Sequence, residues 1–337
     1  MRKFLTTLVL LVLLGGGAGA YWLFLMGNVA PSENRPFINI PTGSKVQDVI
    51  NLLSEKGILQ STKSFEIVAN IKQYKTPKPG HYVFSKQMSN RAIINMLQSG
   101  RQVPVKLVIY NIRTKEEFAG LVGRTLEIDS TVFLDTLNSP SFCKAYGLDT
   151  NNILTHFITD NYEFKWNTHI DGFMSVMDAY YDKFWQGDHL AKATALGYKP
   201  SQIITLASIV EKECIFDKEL PTVASVYLNR LKINMPLQAD PTLVFALRDF
   251  DAHRVTNHHK EFDSPYNTYL HAGLPPGPIC MPKKKSIEAV LNADDTDFMY
   301  FCANPDMSGY SIFSKTLDEQ NKVAALYRKK LNEMKIK

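Results

Sequence analysis

Lys199-Pro200-Ser201-Gln202-Ile203-Ile204-Thr205-Leu206-Ala207-Ser208-Ile209-Val210-Glu211-Lys212-Glu213 reads as a helix buried on most of its sides. Pro200 suits a first helical position, where its missing N–H costs nothing. Ile203, Ile204, Leu206, Ala207, Ile209 and Val210 do not form one stripe; at 100° per residue they surround the axis. A core helix of this kind would be expected to stay apolar to its end, yet this one closes on Glu211, Lys212 and Glu213. Helical spacing sets Glu211 over Ile204, Ala207 and Ser208, and Glu213 over Leu206, Ile209 and Val210, about 200° further round. The two carboxylates therefore cannot face each other, and a functional one works alone or with a partner from elsewhere. A carboxyl at the tip of an oily helix is a candidate for a raised pKa, because desolvation disfavours its charged form, and that is the state a general acid needs. The competing reading is a helix that has simply reached the surface.

The chain around this helix has 337 residues, room for one large domain or two ordinary ones. Apolar residues at 45% and charged residues at 21% describe a globular protein rather than a disordered one. A net charge of +5 tolerates an acidic polymer, but no basic run with interleaved aromatics points to nucleic acid. Cys143, Cys214, Cys280 and Cys302 include no C-x-x-C pair, so a zinc cage has no basis; they read as free buried thiols, with a Cys280–Cys302 disulfide as the alternative. At the N-terminus Arg2 and Lys3 precede an uncharged run from Phe4 to Asn28, roughly the length that spans a bilayer core. A cleaved signal peptide competes, with Ala18-Gly19-Ala20 as its cleavage site, but Tyr21 to Met26 continue the apolar run and favour an uncleaved anchor. Both readings keep the basic residues inside and export the rest.

Pro31 to Arg35 reads as a polar linker, and Phe37-Ile38-Asn39-Ile40 as a strand. Ser44-Lys45-Val46-Gln47 has capping-box spacing before a helix that Gly57 ends, and a second amphipathic segment carries Phe65, Val68 and Ile71. A turn at Pro79-Gly80 leads into a further strand, Ser89 caps a helix ended by Gly100, and Val103 to Tyr110 alternates like a strand. Asn111 to Tyr198 is mainly helical, interrupted at His156-Phe157-Ile158-Thr159-Asp160-Asn161-Tyr162-Glu163-Phe164, an irregular stretch whose rings suit either a sugar-binding wall or a loop pinned by its aromatics. Beyond the central helix, Gln238 and Asp240 lie near prolines, and Gly273-Leu274-Pro275-Pro276-Gly277-Pro278-Ile279 is a rigid loop; rigid, polar-tipped loops beside a buried helix are how a substrate cleft is built. His253, His258, His259 and His271 match no metal-ligand spacing, and no G-x-S-x-G, Walker loop or G-x-G-x-x-G occurs.

Five motifs in one order give the chain a resemblance to the YceG-like family, the endolytic murein transglycosylases also called MltG. They are Ala207-Ser208-Ile209-Val210-Glu211-Lys212-Glu213; Val223-Ala224-Ser225-Val226-Tyr227-Leu228-Asn229-Arg230-Leu231; Leu237-Gln238-Ala239-Asp240-Pro241-Thr242; Tyr266-Asn267-Thr268-Tyr269; and the loop Gly273–Ile279. The resemblance implies an α+β protein: a cytoplasmic stub at 1–3, a transmembrane anchor at 4–27, a linker at 28–36, a LysM-like domain at 37–105, and a larger mixed α/β catalytic domain with a buried central helix at 106–337. It implies cleavage of the bond between N-acetylmuramic acid and N-acetylglucosamine within peptidoglycan strands, with 1,6-anhydro ends and without a metal or cofactor. Glu211 is the expected acid/base, and a single carboxyl can suffice because the sugar's own C6 hydroxyl is the nucleophile. Gln238, Asp240, Tyr266, Asn267, Thr268 and Tyr269 are the expected sugar contacts or orienting groups, with Thr242 and Ser208 as second choices. Asp160, which matches the aspartate of the family's aromatic loop, is also an expected substrate contact, although Thr159 and Asn161 flank it where the family usually has proline and threonine. The implied setting is the inner membrane with the catalytic domain in the periplasm, beside peptidoglycan and penicillin-binding synthases. The alternatives are a non-catalytic wall-binding scaffold and a muramidase-type hydrolase in which Asp240 or another carboxylate positions a water; a metal enzyme would lose activity with a chelator.

Overall fold

A computed structural model describes residues 2–30, 35–251 and 256–334. Residues 31–34 of the expected linker and His253 lie outside the described residues. The protein is α+β, and its chain divides into two compact units. One comprises Met1–Leu107, Val122–Ile128 and Glu163–His169; the other comprises Val108–Leu121, Asp129–Tyr162 and Ile170–Lys337.

The first unit begins with α1 (Arg2–Phe24), of which Lys3–Phe24 is long and apolar enough to cross a membrane. Its apolar side chains from Phe4 to Trp22 are exposed, Leu14 to 68%. A compact body follows: β1 (Phe37–Ile40), α2 (Val46–Glu55), α3 (Thr62–Ile71), β2 (Gly80–Val83) and α4 (Asn90–Ser99). β1 and β2 pair antiparallel, Phe37 opposite Val83 and Ile40 opposite Gly80, and their inward residues Ile38, Ile40 and Tyr82 pack with Val49, Leu53, Phe65 and Ile93. The cap of α2 lies one residue beyond the expected Ser44. The Asp48 carboxylate accepts the Lys45 N–H at 2.7 Å, while the Ser44 hydroxyl turns back to the Pro41 carbonyl. A carboxylate is the stronger acceptor, so it takes the orphan donor. Asn28 and Val29, expected within the linker, are buried in this body; the Asn28 amide donates to Asn90 and to the Ser61 carbonyl.

The chain continues through β3 (Val105–Val108), α5 (Lys115–Thr125), α6 (Ser130–Leu137), α7 (Pro140–Ala145), β4 (Asn161–Phe164), α8 (Ile170–Trp185) and α9 (Asp188–Leu196). It then enters α10 (Pro200–Glu213), α11 (Leu220–Lys232), α12 (Asp240–Leu247), α13 (Asn257–Lys260) and α14 (Lys284–Leu291), and ends in the antiparallel pair β5 (Tyr300–Ala303) and β6 (Ser311–Ser314) with α15 (Leu317–Glu333). α10 is the axis of the second unit. Pro200 opens it, the Gln202 side chain accepts the Lys199 N–H at 2.9 Å, and every residue from Ile203 to Val210 is buried. The helices α9, α11, α12 and α14 surround it. Encirclement of this kind explains why its apolar residues occupy all sides rather than one.

The aromatic stretch departs from the sugar-wall reading. Phe157 and Tyr162 are 2% and 1% exposed, and Phe157 packs against Phe118 and Phe173. These rings add apolar area to the core, which outweighs presenting them to solvent. His156 is likewise enclosed, stacked on Tyr181 and 2.7 Å from the Asp178 carboxylate. The four cysteines are free thiols.

Candidate active site

The last turn of α10 sends its two carboxylates to different places. Glu211 reaches the start of α14, where one carboxylate oxygen accepts the Lys283 N–H at 2.6 Å and the hydroxyl of buried Ser286 at 2.7 Å. Lys283 is the N-cap residue of α14 and supplies no side-chain cap of its own, so Glu211 satisfies a helix start from another helix.

Glu213 turns the opposite way, into an open cavity of about 560 Å³. The cavity is lined by Glu213 of α10, Tyr227 and Arg230 of α11, Gln238 and Asp240 at the start of α12, and Lys260, Tyr269 and Tyr300 around the rim. The Tyr227 hydroxyl donates to Glu213 Oε1 at 3.0 Å. Burial pushes the Glu213 carboxyl up to about 7; the Asp240 charge adds to the rise, while the Tyr227 hydrogen bond and Arg230 oppose it. At neutral pH a large fraction of this acid therefore holds its proton. Burial also raises Tyr227 and Tyr269 above the usual phenol range, so both remain O–H donors, Tyr269 to the Asp240 carboxylate.

The cavity wall is held from behind. Buried Arg230 donates to the Met299 carbonyl at 2.7 Å and to the Leu237 carbonyl at 2.6 Å, which ties α11 to the segment carrying Gln238. Gln238 is exposed and sits in the left-handed region at φ 52°, with its N–H bonded to the Thr268 carbonyl at 3.0 Å. Thr268 accepts the Ala239 N–H at 3.0 Å and meets the Thr242 hydroxyl at 2.9 Å. Asn267 donates to the Lys260 and Phe262 carbonyls, which shapes the loop that presents Tyr269. Strain at Gln238 is tolerated because this network over-determines the turn.

Of the residues expected from the sequence, the structure gathers Gln238, Asp240 and Tyr269 around Glu213. Thr242, Asn267 and Thr268 are buried beneath them, at 0%, 0% and 2% exposure, and form the floor rather than the surface. Ser208 is fully buried; it donates to the Thr205 carbonyl and accepts the Ile279 N–H at 3.0 Å, which pins the proline-rich loop to α10. Tyr266 packs its ring 4.8 Å from Phe245, and its hydroxyl lies so close to Gly277 that a Cβ there would stand 3.1 Å away. Asp160 belongs to a different cavity and is paired with Lys284; burial would raise its carboxyl, but Lys284 and the Asn161 N–H outweigh it and hold it low. Tyr227 and Arg230 are the site residues that the sequence reading passed over. Their i, i+3 spacing on α11 places both on one helix face, a signal available before the fold. Among the described residues no group of three His, Cys, Asp or Glu side chains is placed to hold a metal ion.

A buried-helix unit holding one carboxyl that burial lifts to about 7, in an open cavity with polar lining, suits acid–base work. The YceG-like family profile matches residues 38–325, and the chain belongs to that family. An endolytic murein transglycosylase of Bacillus subtilis is 30% identical over 94% of this chain and 92% of its own length. An endolytic murein transglycosylase of Streptococcus pneumoniae is 26% identical over 96% of this chain and 65% of its own length. The crystal structure of a yceG-like protein from Listeria monocytogenes superposes with a TM-score of 0.59 at 30% identity, covering 87% of this chain and 99% of that one.

Proposed function

We propose that the protein is a peptidoglycan lytic transglycosylase, an enzyme that cuts between N-acetylmuramic acid and N-acetylglucosamine inside glycan strands. Its family and its relatives' names support the reaction class, and one observation of the site carries the assignment of roles: Glu213 shares a cavity with Gln238, Asp240 and Tyr269, whereas Glu211 is engaged at the start of α14. The acid/base is accordingly Glu213 rather than the Glu211 favoured by sequence.

In this mechanism the Glu213 carboxyl gives its proton to the glycosidic oxygen as the muramic C1–O bond breaks, with the 2-acetamido group stabilising C1. The resulting carboxylate takes the proton of the muramic C6 hydroxyl, whose oxygen bonds to C1 and closes the 1,6-anhydro ring. Glu213 ends protonated, as it began, and no water is consumed. A nucleophile tethered to the electrophile has a high effective molarity, so a second carboxylate at the short spacing of retaining glycosidases is not required. Tyr227 keeps Glu213 oriented through the transfer, while Tyr269 and Asp240 hold sugar hydroxyls at the rim. Purified sacculi digested with wild type, Glu213→Gln and Glu211→Gln test this. Anhydro-ended fragments should vanish with the first variant and persist with the second.

Asp240, a second carboxylate in the same cavity, favours a muramidase as the alternative. Mass spectrometry separates the two, because hydrolysis leaves reducing ends one water heavier. Binding of sacculi by wild-type protein without any product would instead indicate a scaffold.

The further setting follows the same reading. α1 acts as an uncleaved anchor with Arg2 and Lys3 on the cytoplasmic side, placing the cleft at the wall face of the membrane. The order β1–α2–α3–β2 supports a LysM-like role for the first unit. Cutting within strands near the membrane would limit strand length beside the penicillin-binding synthases.

A further inference from the structure

At the end of α1 a cavity of about 530 Å³ lies between the helix and the body of the first unit. Its helix wall is Gly17, Ala20, Tyr21, Phe24 and Leu25, and the facing wall contributes two cations, Lys72 and Arg91. The body is fixed to the helix: Leu23 and Phe24 pack against its core, and the Asn90 amide donates to the Leu23 carbonyl at 3.0 Å. Among the described residues no carboxylate pairs with either cation; Lys72 bonds the neutral Asn95 side chain at 2.6 Å.

Depth along the helix decides what fills this space. At 1.5 Å per residue, a hydrocarbon core of about 30 Å entered at Phe4 is crossed in roughly 20 residues and ends near Leu23. Tyr21 and Trp22 then sit at the interface, where aromatic rings are favoured. Gly17 and Ala20 face the outer end of the acyl region and leave a furrow; nothing lies within 4 Å of a Cβ built on Gly17. Lys72 and Arg91 come alongside at the level of the headgroups. Ile67 and Ile71, one turn apart on α3 just before Lys72, are exposed apolar side chains of the same body, of the kind an interfacial surface favours.

We propose that this cavity is a binding site for an anionic phospholipid of the leaflet facing the wall, with its phosphodiester between Lys72 and Arg91 and an acyl chain along Gly17, Ala20 and Phe24. The site holds the first unit against the membrane surface. The inference rests on α1 being an uncleaved anchor.

The test uses the detergent-solubilised full chain titrated with phosphatidylglycerol or phosphatidylcholine and read by native mass spectrometry. Wild type should prefer phosphatidylglycerol. K72Q/R91Q should weaken that binding by about 30-fold, the effect of two interfacial cations, and leave phosphatidylcholine unchanged. K56Q/R101Q, which removes equal charge from the same unit outside the cavity, should behave as wild type. Undiminished phosphatidylglycerol binding by K72Q/R91Q overturns the proposal, as does an equal loss in K56Q/R101Q. Displacement of the lipid by millimolar inorganic phosphate also overturns it, since the site would then take free anions. Alkaline carbonate extraction of cell membranes tests the anchor separately. Release of the chain would sink the anchor reading and the depth argument, whatever the lipid titration showed.

Discussion

The two carboxylates at the tip of α10 are two residues apart in sequence, equal in chemistry, and opposite in circumstance. Glu211 meets the N–H of Lys283 and the hydroxyl of Ser286, donors that belong to the frame of the second unit. Glu213 meets the Tyr227 hydroxyl, the charge of Asp240 and an open cavity. One carboxylate is committed to holding two helices together. The other is lifted by burial to about 7 and keeps much of its proton at neutral pH. The lesson is that a carboxyl's neighbours, more than its place on a helix, decide how it is bonded and how readily it ionises.

That contrast is most directly broken at Glu213. Glu213→Gln keeps the shape of the side chain and its contact with Tyr227 but cannot donate or recover a proton in the reaction. Turnover of purified glycan should fall by a factor between about 10² and 10⁴ with an unchanged circular dichroism spectrum. A variant retaining a tenth of wild-type activity would remove Glu213 from the chemistry.

The next largest effect belongs to Glu211 and falls on stability instead. Glu211→Ala leaves the start of α14 uncapped and Ser286 without its acceptor, at a cost of about 1–3 kcal/mol, read as a midpoint lowered by several degrees in thermal unfolding. Activity measured well below that midpoint should change less than tenfold. A larger loss at full folding would return the acid/base role to Glu211.

The pH dependence sharpens the same distinction. Because burial lifts Glu213 to about 7 from an ordinary carboxylate value, the folded protein binds a proton that the unfolded chain releases in the window between them. The group's contribution to stability is therefore full at pH below the ordinary carboxylate range and is lost as pH rises through about 7. Activity that needs the protonated acid should fall over the same upper limb. Glu213→Gln should flatten this part of the unfolding midpoint's pH profile. Tyr227→Phe removes the hydrogen bond that lowers the Glu213 pKa, so the basic limb of the activity profile should move to higher pH.

The smallest expected effect is at Asp160, whose partner is Lys284 in a separate cavity. Asp160→Asn should leave both kcat and KM for glycan within about twofold of wild type, the usual outcome for a partly exposed ion pair. A rise in KM alone would extend the substrate path to that cavity.

Local pattern carried much of the architecture. The apolar residues of Ile203–Val210, spread round the helix axis, announced a core helix, and Pro200 announced its start; both follow from 3.6-residue periodicity and the chemistry of helix ends. The separation of Glu211 from Glu213 was legible for the same reason. Gln238 and Asp240 were marked by their proline-restrained segment, and Tyr269 by the family motif it belongs to. The direction of the aromatics was not, because Phe157 and Tyr162 are as suited to a wall as to a core until packing chooses. Thr268 and Thr242 were expected as sugar contacts or orienting groups, yet their hydrogen bonds are spent on Ala239 and on each other.

The sequence by itself determined that a buried helix would end in two carboxylates pointing apart, since a fixed rotation per residue is a property of the backbone alone. Only the tertiary structure decided which of them meets α14 and which meets the cleft, because the distant partners Lys283, Ser286, Tyr227 and Asp240 reach the helix tip through packing that no local spacing encodes.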